Sequence, residues 1–165
     1  MDTMQASIPG KGRPIDRWFA HYSDDHRDAR NQRIHVFAVP LILWSVIALL
    51  WGMPAPGTLF RTGIWAGVAM VAAGAFYVRA SRPLGFGMVA VFVLMGLLTH
   101  ALAVAFGLRT LMIAAIAVFV VAWVAQFVGH KLEGRKPSFL TDLTYLLIGP
   151  AWVLAKLYRR LQVRY

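Results

Sequence analysis

The chain has 165 residues, about the length of one ordinary domain, but 59% of it is apolar and only 15% is charged, which excludes a typical water-soluble domain. The net charge of +10 favours anionic lipid head groups over nucleic acid as a partner, because the basic residues flank long uncharged runs. The absence of cysteine excludes disulfides, thiolate metal sites and Cys nucleophiles.

The N-terminal part of the chain contains a tail and one predicted helix. Residues 1–13 combine glycine and proline with small polar residues, a mixture that predicts a loose tail. Over residues 14–33 the apolar side chains of Trp18, Phe19 and Tyr22 recur at helical spacing, and charged residues occupy the other face. We therefore predict an amphipathic helix over 14–33 that lies near the membrane surface.

Four largely uncharged stretches follow, and a helix needs roughly 17–25 apolar residues to cross a bilayer. A Gly- and Pro-rich turn ends the first stretch, and a tight turn at Gly107 joins the last two. Together the stretches predict two transmembrane hairpins. The predicted transmembrane helices cover residues 36–52, 62–79, 84–107 and 110–130.

Charge asymmetry predicts the orientation of this membrane protein. Of the 17 Lys and Arg residues, only Arg61 and Arg109 fall in the two loops opposite the termini, so we expect both termini on the cytoplasmic side of the bacterial inner membrane, or of the endoplasmic reticulum in a eukaryote. Residues 139–161 contain an apolar run that is too short to span and is interrupted by Gly149 and Pro150, which favours an interfacial or re-entrant helix. The predicted fold class is an all-α integral membrane protein.

Four of the five histidines fall at the cytoplasmic face of this arrangement. His21 and His26 lie in the predicted surface helix, His35 begins the first span and His130 ends the fourth, whereas His100 lies about 25 Å along the third span. Imidazoles without thiols suit iron or zinc better than magnesium or calcium. Taken singly, an interfacial histidine is usually only a polar residue at a polar boundary, so the metal hypothesis depends on the group.

Amide and carboxylate residues recur beside two of these histidines. Gln126, His130 and Glu133 are spaced at i, i+4 and i+7, so they share one face of a helix. Such a stripe at a membrane boundary is unfavourable unless it is paired or bound to a ligand. Asn31 precedes His35 by four residues, which predicts an amide beside that imidazole, with a polar first helical turn as the alternative.

Several short motifs occur in a fixed order from about Trp18 to Trp152. These motifs are His26-x4-Asn31-x2-Ile34-His35, Val39-Pro40, Gln126-Phe127-x-Gly129-His130-x2-Glu133, Lys136-Pro137 and Gly149-Pro150. In this order and spacing they resemble the small membrane proteins that metabolise phytosphingosine to odd-numbered fatty acids, a family of membrane 2-hydroxy fatty acid dioxygenases. One departure is that Arg27-Asp28-Ala29 stands where the family has Asn-Pro after the first histidine.

The resemblance implies an Fe(II)-dependent dioxygenase that uses O₂ to remove one carbon from a 2-hydroxy fatty acid, a step of fatty acid α-oxidation in the membrane. It implies that His26, His35 and His130 are the metal ligands. The same three histidines and Glu133 are the implied catalytic residues. Asn31 and Gln126 are the implied cofactor-binding residues. His21 lies outside the family pattern, where an aromatic residue is common, and is kept as a weaker metal candidate.

Other classes of function remain as alternatives. A small transporter would need polar residues along the middle of the membrane, where the spans carry little besides Thr99 and His100. In a non-catalytic lipid-binding or scaffold protein, the histidines would only satisfy interfacial hydrogen bonds. A zinc hydrolase is a further alternative, because the ligands alone do not separate zinc from iron.

Overall fold

The computed structural model describes residues 14–24, 26–57, 61–134 and 145–165, and this part of the chain contains six α-helices and no strand. The helices are α1 (Pro14–Asp24), α2 (Ala29–Gly52), α3 (Ile64–Ala80), α4 (Arg82–Phe106), α5 (Leu108–Glu133) and α6 (Tyr145–Arg160). The all-helical prediction is therefore confirmed for these residues. The loose tail predicted over 1–13 and the beginning of the helix predicted over 139–161 lie outside the described residues.

Three helices, α2, α4 and α5, are long and apolar enough to cross a membrane. This finding agrees with a membrane protein, as composition predicted. Helix α3 is also apolar but has 17 residues, so it is about 26 Å long against a hydrocarbon core of about 30 Å. A fourth crossing by α3 stays a proposal, which its packing against α4 supports.

The break between α1 and α2 differs from the single helix predicted over 14–33. Asp28 caps the second helix, because its side chain accepts hydrogen bonds from the backbone N–H groups of Arg30 and Asn31. Hydrogen bonds from the side chain and backbone of Arg30 hold the pKa of Asp28 below its ordinary value, so the cap is negatively charged at neutral pH. The apolar spacing that predicted one helix ends at Tyr22, and Asp28 caps the beginning of a second helix, α2.

The helices pack so that α2 and α5 form the most extensive pair, while α6 contacts α1, α2 and α4. Two of the hydrogen bonds that hold α6 are those from the Tyr77 hydroxyl to the carbonyl of Leu147 at 2.6 Å and from the Trp152 indole to the Ser23 hydroxyl at 3.0 Å. With 16 residues, α6 is too short for an ordinary crossing. It covers the end of the bundle where α2 begins and α5 ends.

Gly85 lies where α4 meets the backbone of α3. A Cβ at this position would overlap backbone atoms of Val78 and Tyr77, which move only if a helix shifts. Gly85→Ala is therefore expected to destabilise the protein by about 1–3 kcal/mol. Gly67→Ala is the matched control, because no heavy atom lies within 4 Å of its added Cβ. Thermal unfolding in detergent should show a lower midpoint only for Gly85→Ala, and equal midpoints would contradict the close packing.

Candidate metal centre

Three buried histidines from different parts of the chain meet at one end of the bundle. His26 lies between α1 and α2, His35 lies on α2 and His130 lies in the last turn of α5. Their candidate ligand atoms all lie within 4.8 Å of one another. The His130 ring centroid is 5.0 Å from those of both His26 and His35. The structure thus brings together the three histidines that the sequence nominated as principal ligands.

The rings of His26 and His35 are oriented by backbone carbonyl groups. The Nδ1–H of His26 donates to the carbonyl of Tyr22, and the Nδ1–H of His35 donates to the carbonyl of Asn31 at 3.0 Å. Because a carbonyl oxygen only accepts, Nδ1 carries the proton in each ring, and the Nε2 of the neutral ring carries a lone pair. Both Nε2 atoms therefore point into the same space.

The two Nε2 atoms of His26 and His35 are 3.0 Å apart. Two lone pairs at this distance repel each other unless a shared proton or a bound cation lies beside both. Two ligands that each lie about 2.1 Å from a metal, at an angle of about 90°, are also about 3.0 Å apart. Three imidazoles suit a divalent ion of borderline softness, so this donor set fits iron or zinc.

Glu133 binds the stretch that carries His26 and is outside the three-histidine group. Its carboxylate accepts hydrogen bonds from the backbone N–H of Arg27 at 2.8 Å, from the backbone N–H of Asp28 at 2.9 and 3.0 Å, and from the Asn31 amide at 3.1 Å. We call these contacts the Glu133 clamp. Hydrogen bonds to a carboxylate are stronger than neutral ones, so the clamp fastens the end of α5 to the start of α2.

The two amides nominated beside the histidines occupy different surroundings. Gln126 is buried one turn before His130 and lines a cavity, and its Oε1 has no hydrogen-bond partner among the described residues. A buried amide oxygen is stabilised by a donor, such as a hydroxyl group or water in the cavity. Asn31 instead donates to Glu133 and lies against Gly129 of α5. Asn31 therefore belongs to the clamp, whereas Gln126 faces the cavity.

The remaining two histidines are not part of this group. His21 is exposed on α1, so the structure does not bring this weaker metal candidate to the centre. His100 is exposed on α4, and its ring lies 5.9 Å from the ring of Trp51. Both residues serve as controls for histidine substitutions.

Several residues around His26 were missed by the sequence analysis. The Tyr22 ring stacks on the His26 ring at 4.1 Å, and the Trp152 ring lies 5.8 Å from it. The Gln32 amide donates to the carbonyl of His26 at 2.7 Å and accepts from Lys156 at 2.7 Å. The i, i+4 spacing of Tyr22 and His26 was the one signal available, because the other partners are distant in sequence or separated by the helix break.

Lys156 connects α6 to this network. Its ammonium lies 3.9 Å from the centre of the Trp152 ring, which favours a cation–π contact. Burial, followed by repulsion from Arg159 and Arg160, lowers the pKa of Lys156. The Trp152 ring and the Gln32 amide together hold the Lys156 side chain. Through its hydrogen bond Lys156 orients Gln32, which donates to the backbone carbonyl of His26.

A largely apolar cavity of about 350 Å³ opens from the histidines. Its polar end consists of His26, His35, His130 and Gln126. The following apolar residues of α2 and α5 line the remainder: Val39, Ile42, Leu43, Val46, Phe119 and Trp123. The beginning of α6 closes one side. This combination suits a molecule with one polar end and one apolar tail.

Comparison with known proteins identifies the family. A family model described as 2-hydroxy-palmitic acid dioxygenase Mpo1-like matches residues 13–161, a region that includes all six helices and the candidate site. Searches of curated proteins and of solved structures returned no match. The chain therefore belongs to the Mpo1-like family, which is the family that its sequence motifs predicted.

Proposed function

We propose that this protein is an Fe(II)-dependent membrane dioxygenase that removes one carbon from 2-hydroxy fatty acids. The observation that carries the proposal is the meeting of three buried histidines at the polar end of an apolar cavity. The family description names a 2-hydroxy-palmitic acid dioxygenase, which supplies the reaction class. A metal site alone would equally suit other chemistry, whereas the joined cavity favours a substrate with a long apolar tail.

In this proposal His26, His35 and His130 hold the iron through ring nitrogen atoms. Iron held there would supply O₂ activation and a Lewis acid for the carboxylate and hydroxyl of the substrate. The carbonyl groups of Tyr22 and Asn31 hold the Nδ1 protons of His26 and His35, which keeps both Nε2 atoms unprotonated and directed at the centre. The Glu133 clamp acts indirectly, because it positions the stretch that carries His26 and does not itself hold the iron.

The protein also has groups suited to orient the substrate. The buried Oε1 of Gln126 is placed to accept a hydrogen bond from the 2-hydroxyl group, and the rings of Tyr22 and Trp152 exclude water around His26. Arg30 and Arg33 are exposed near the start of α2 and attract a fatty carboxylate towards this end of the bundle.

The membrane arrangement is part of the same proposal. We infer four crossings, with α3 as the fourth, and both termini on the cytoplasmic side, because nearly all basic residues lie there. The tail of the substrate then stays in apolar surroundings, where each buried methylene contributes about 0.8 kcal/mol. The polar end meets the histidines at the membrane boundary.

A turnover assay tests the proposal. Protein purified in detergent or nanodiscs is loaded anaerobically with Fe(II), and 2-hydroxypalmitic acid and air are added. We expect O₂ consumption and a product one carbon shorter, detected by mass spectrometry. Palmitic acid without the hydroxyl group and protein loaded with Zn(II) are the controls, and neither should give product. Failure of the Fe(II)-loaded protein to shorten the hydroxy acid would overturn the proposed activity.

A further inference from the structure

We propose that the inner end of the cavity selects the length of the acyl tail, with Val46 of α2 and Phe119 of α5 as its end wall. The inference rests on the proposed function and adds a binding subsite for a saturated hydrocarbon chain. Val46 and Phe119 are the lining residues farthest along their helices from the histidines.

The depth of the cavity follows from the register of two antiparallel helices. Val46 lies 11 residues after His35 on α2, and Phe119 lies 11 residues before His130 on α5. At 1.5 Å per residue, both separations correspond to about 16 Å along the helix axis. The two residues therefore lie at the same depth, which is the arrangement expected of a common wall.

Between the histidines and the end wall, the cavity is lined by one continuous face of α2 and one of α5. On α2, Val39, Ile42, Leu43 and Val46 follow His35 at i+4, i+7, i+8 and i+11, so they share one face. Aliphatic groups on this face stabilise a hydrocarbon chain without offering hydrogen bonds.

The facing stripe on α5 has the same period. Phe119, Trp123, Gln126 and His130 are spaced at i, i+4, i+7 and i+11. The described lining of the cavity contains no Asp, Glu, Lys or Arg. A chain that enters from the histidines would therefore meet no charged side chain along the described lining.

The lining of the cavity stops at Val46 and Phe119, and a buried cluster of α2 and α5 lies just beyond them. The small side chains of Ala48 on α2 and Ala115 on α5 are fully buried in one cluster with Leu111. Ala115 lies one turn beyond Phe119, so this cluster is the next packed layer along α2 and α5. Val46 is itself 37% exposed, so the cavity is open on one side at this depth, and the buried cluster limits a tail that follows the groove between α2 and α5.

Substitutions at the end wall should move the preferred chain length in opposite directions. Phe119→Ala deepens the cavity and should shift the optimum of kcat/KM, measured across 2-hydroxy acids of increasing length, towards longer chains. Val46→Phe shortens it and should shift the optimum towards shorter chains. Each methylene newly accommodated or excluded should change kcat/KM about fourfold. Phe86→Ala and Val121→Phe are the matched controls, because both residues lie outside the cavity lining and are 65% and 68% exposed, against 37% for Val46.

Photo-crosslinking gives a second readout that requires no turnover. A 2-hydroxy acid with a diazirine at the end of its tail should label the wild-type protein at Val46, Phe119 or their helical neighbours, as identified by mass spectrometry. Labelling confined to outward-facing residues such as Val121 would overturn the inference, and so would an unchanged length profile in both variants of an active enzyme. A wild-type protein that binds the probe at the end wall but shortens no hydroxy acid would instead refute the proposed function alone.

Discussion

Replacement of any one of His26, His35 and His130 with alanine is expected to abolish both iron binding and turnover. The three ligand atoms lie within 4.8 Å of one another, and no Cys, Asp or Glu among the described residues joins the group. Two imidazoles alone would hold the ion weakly and let it dissociate. Loss of a direct ligand should exceed the roughly 10–100-fold effect typical of supporting residues, so turnover should fall by more than about 100-fold.

The measurement is the iron content after anaerobic loading and desalting, expressed per protein chain. His21→Ala and His100→Ala are matched controls, because they remove a histidine of the same protein from outside the group. Both should retain the wild-type iron content, and gel filtration in detergent should give the same elution for all variants. An alanine variant of the group that keeps the full iron content would refute this metal centre.

Glu133→Gln is expected to weaken metal binding by about 10–100-fold without abolishing it. The glutamine NH₂ group would replace one acceptor oxygen and, in either orientation of the amide, would oppose the backbone N–H of Asp28, together with the backbone N–H of Arg27 or the Asn31 amide. The stretch that carries His26 would then lose its attachment to α5. Because the histidines remain, excess iron should restore binding, and a titration should show a higher Kd at an unchanged stoichiometry.

Arg27→Ala is the matched control for the clamp. Arg27 contributes its backbone N–H to Glu133, and this group survives the substitution, whereas its side chain pairs with Asp24 at the exposed surface. The iron affinity of Arg27→Ala should therefore equal that of the wild type. If Glu133→Gln and Arg27→Ala bind iron equally well, the clamp does not position His26.

Much of the fold and part of the site were predictable from local patterns. Hydropathy predicted long apolar helices, and three of the helices have the length and composition of membrane spans. The i, i+4 and i+7 spacing of Gln126, His130 and Glu133 placed these residues on one side of α5 because helix geometry alone determines it. The nomination of His26, His35 and His130 came from the family motifs and agrees with the grouping in the structure.

Other features depend on contacts between distant residues. The spacing placed Glu133 near His130. It could not reveal that the Glu133 carboxylate accepts hydrogen bonds from the backbone N–H groups of Arg27 and Asp28, which are more than 100 residues away in sequence. His21 is next to Tyr22, which faces the site, and the rotation of about 100° between successive helical residues directs His21 outward. The orientation of α1 relative to the bundle is determined by tertiary contacts, which local sequence patterns do not show.

The interruption between α1 and α2 has a consequence for engineering. The carbonyl of Tyr22 is near the C-terminal end of α1, where carbonyl groups lack helical partners, and it accepts the ring proton of His26. The backbone N–H of His26 bonds to the carbonyl of Ser23 instead. A substitution that extended α1 through this stretch would redirect the Tyr22 carbonyl to a backbone partner and misalign the imidazole. Greater thermal stability here would therefore come at the expense of the geometry of the three-histidine group.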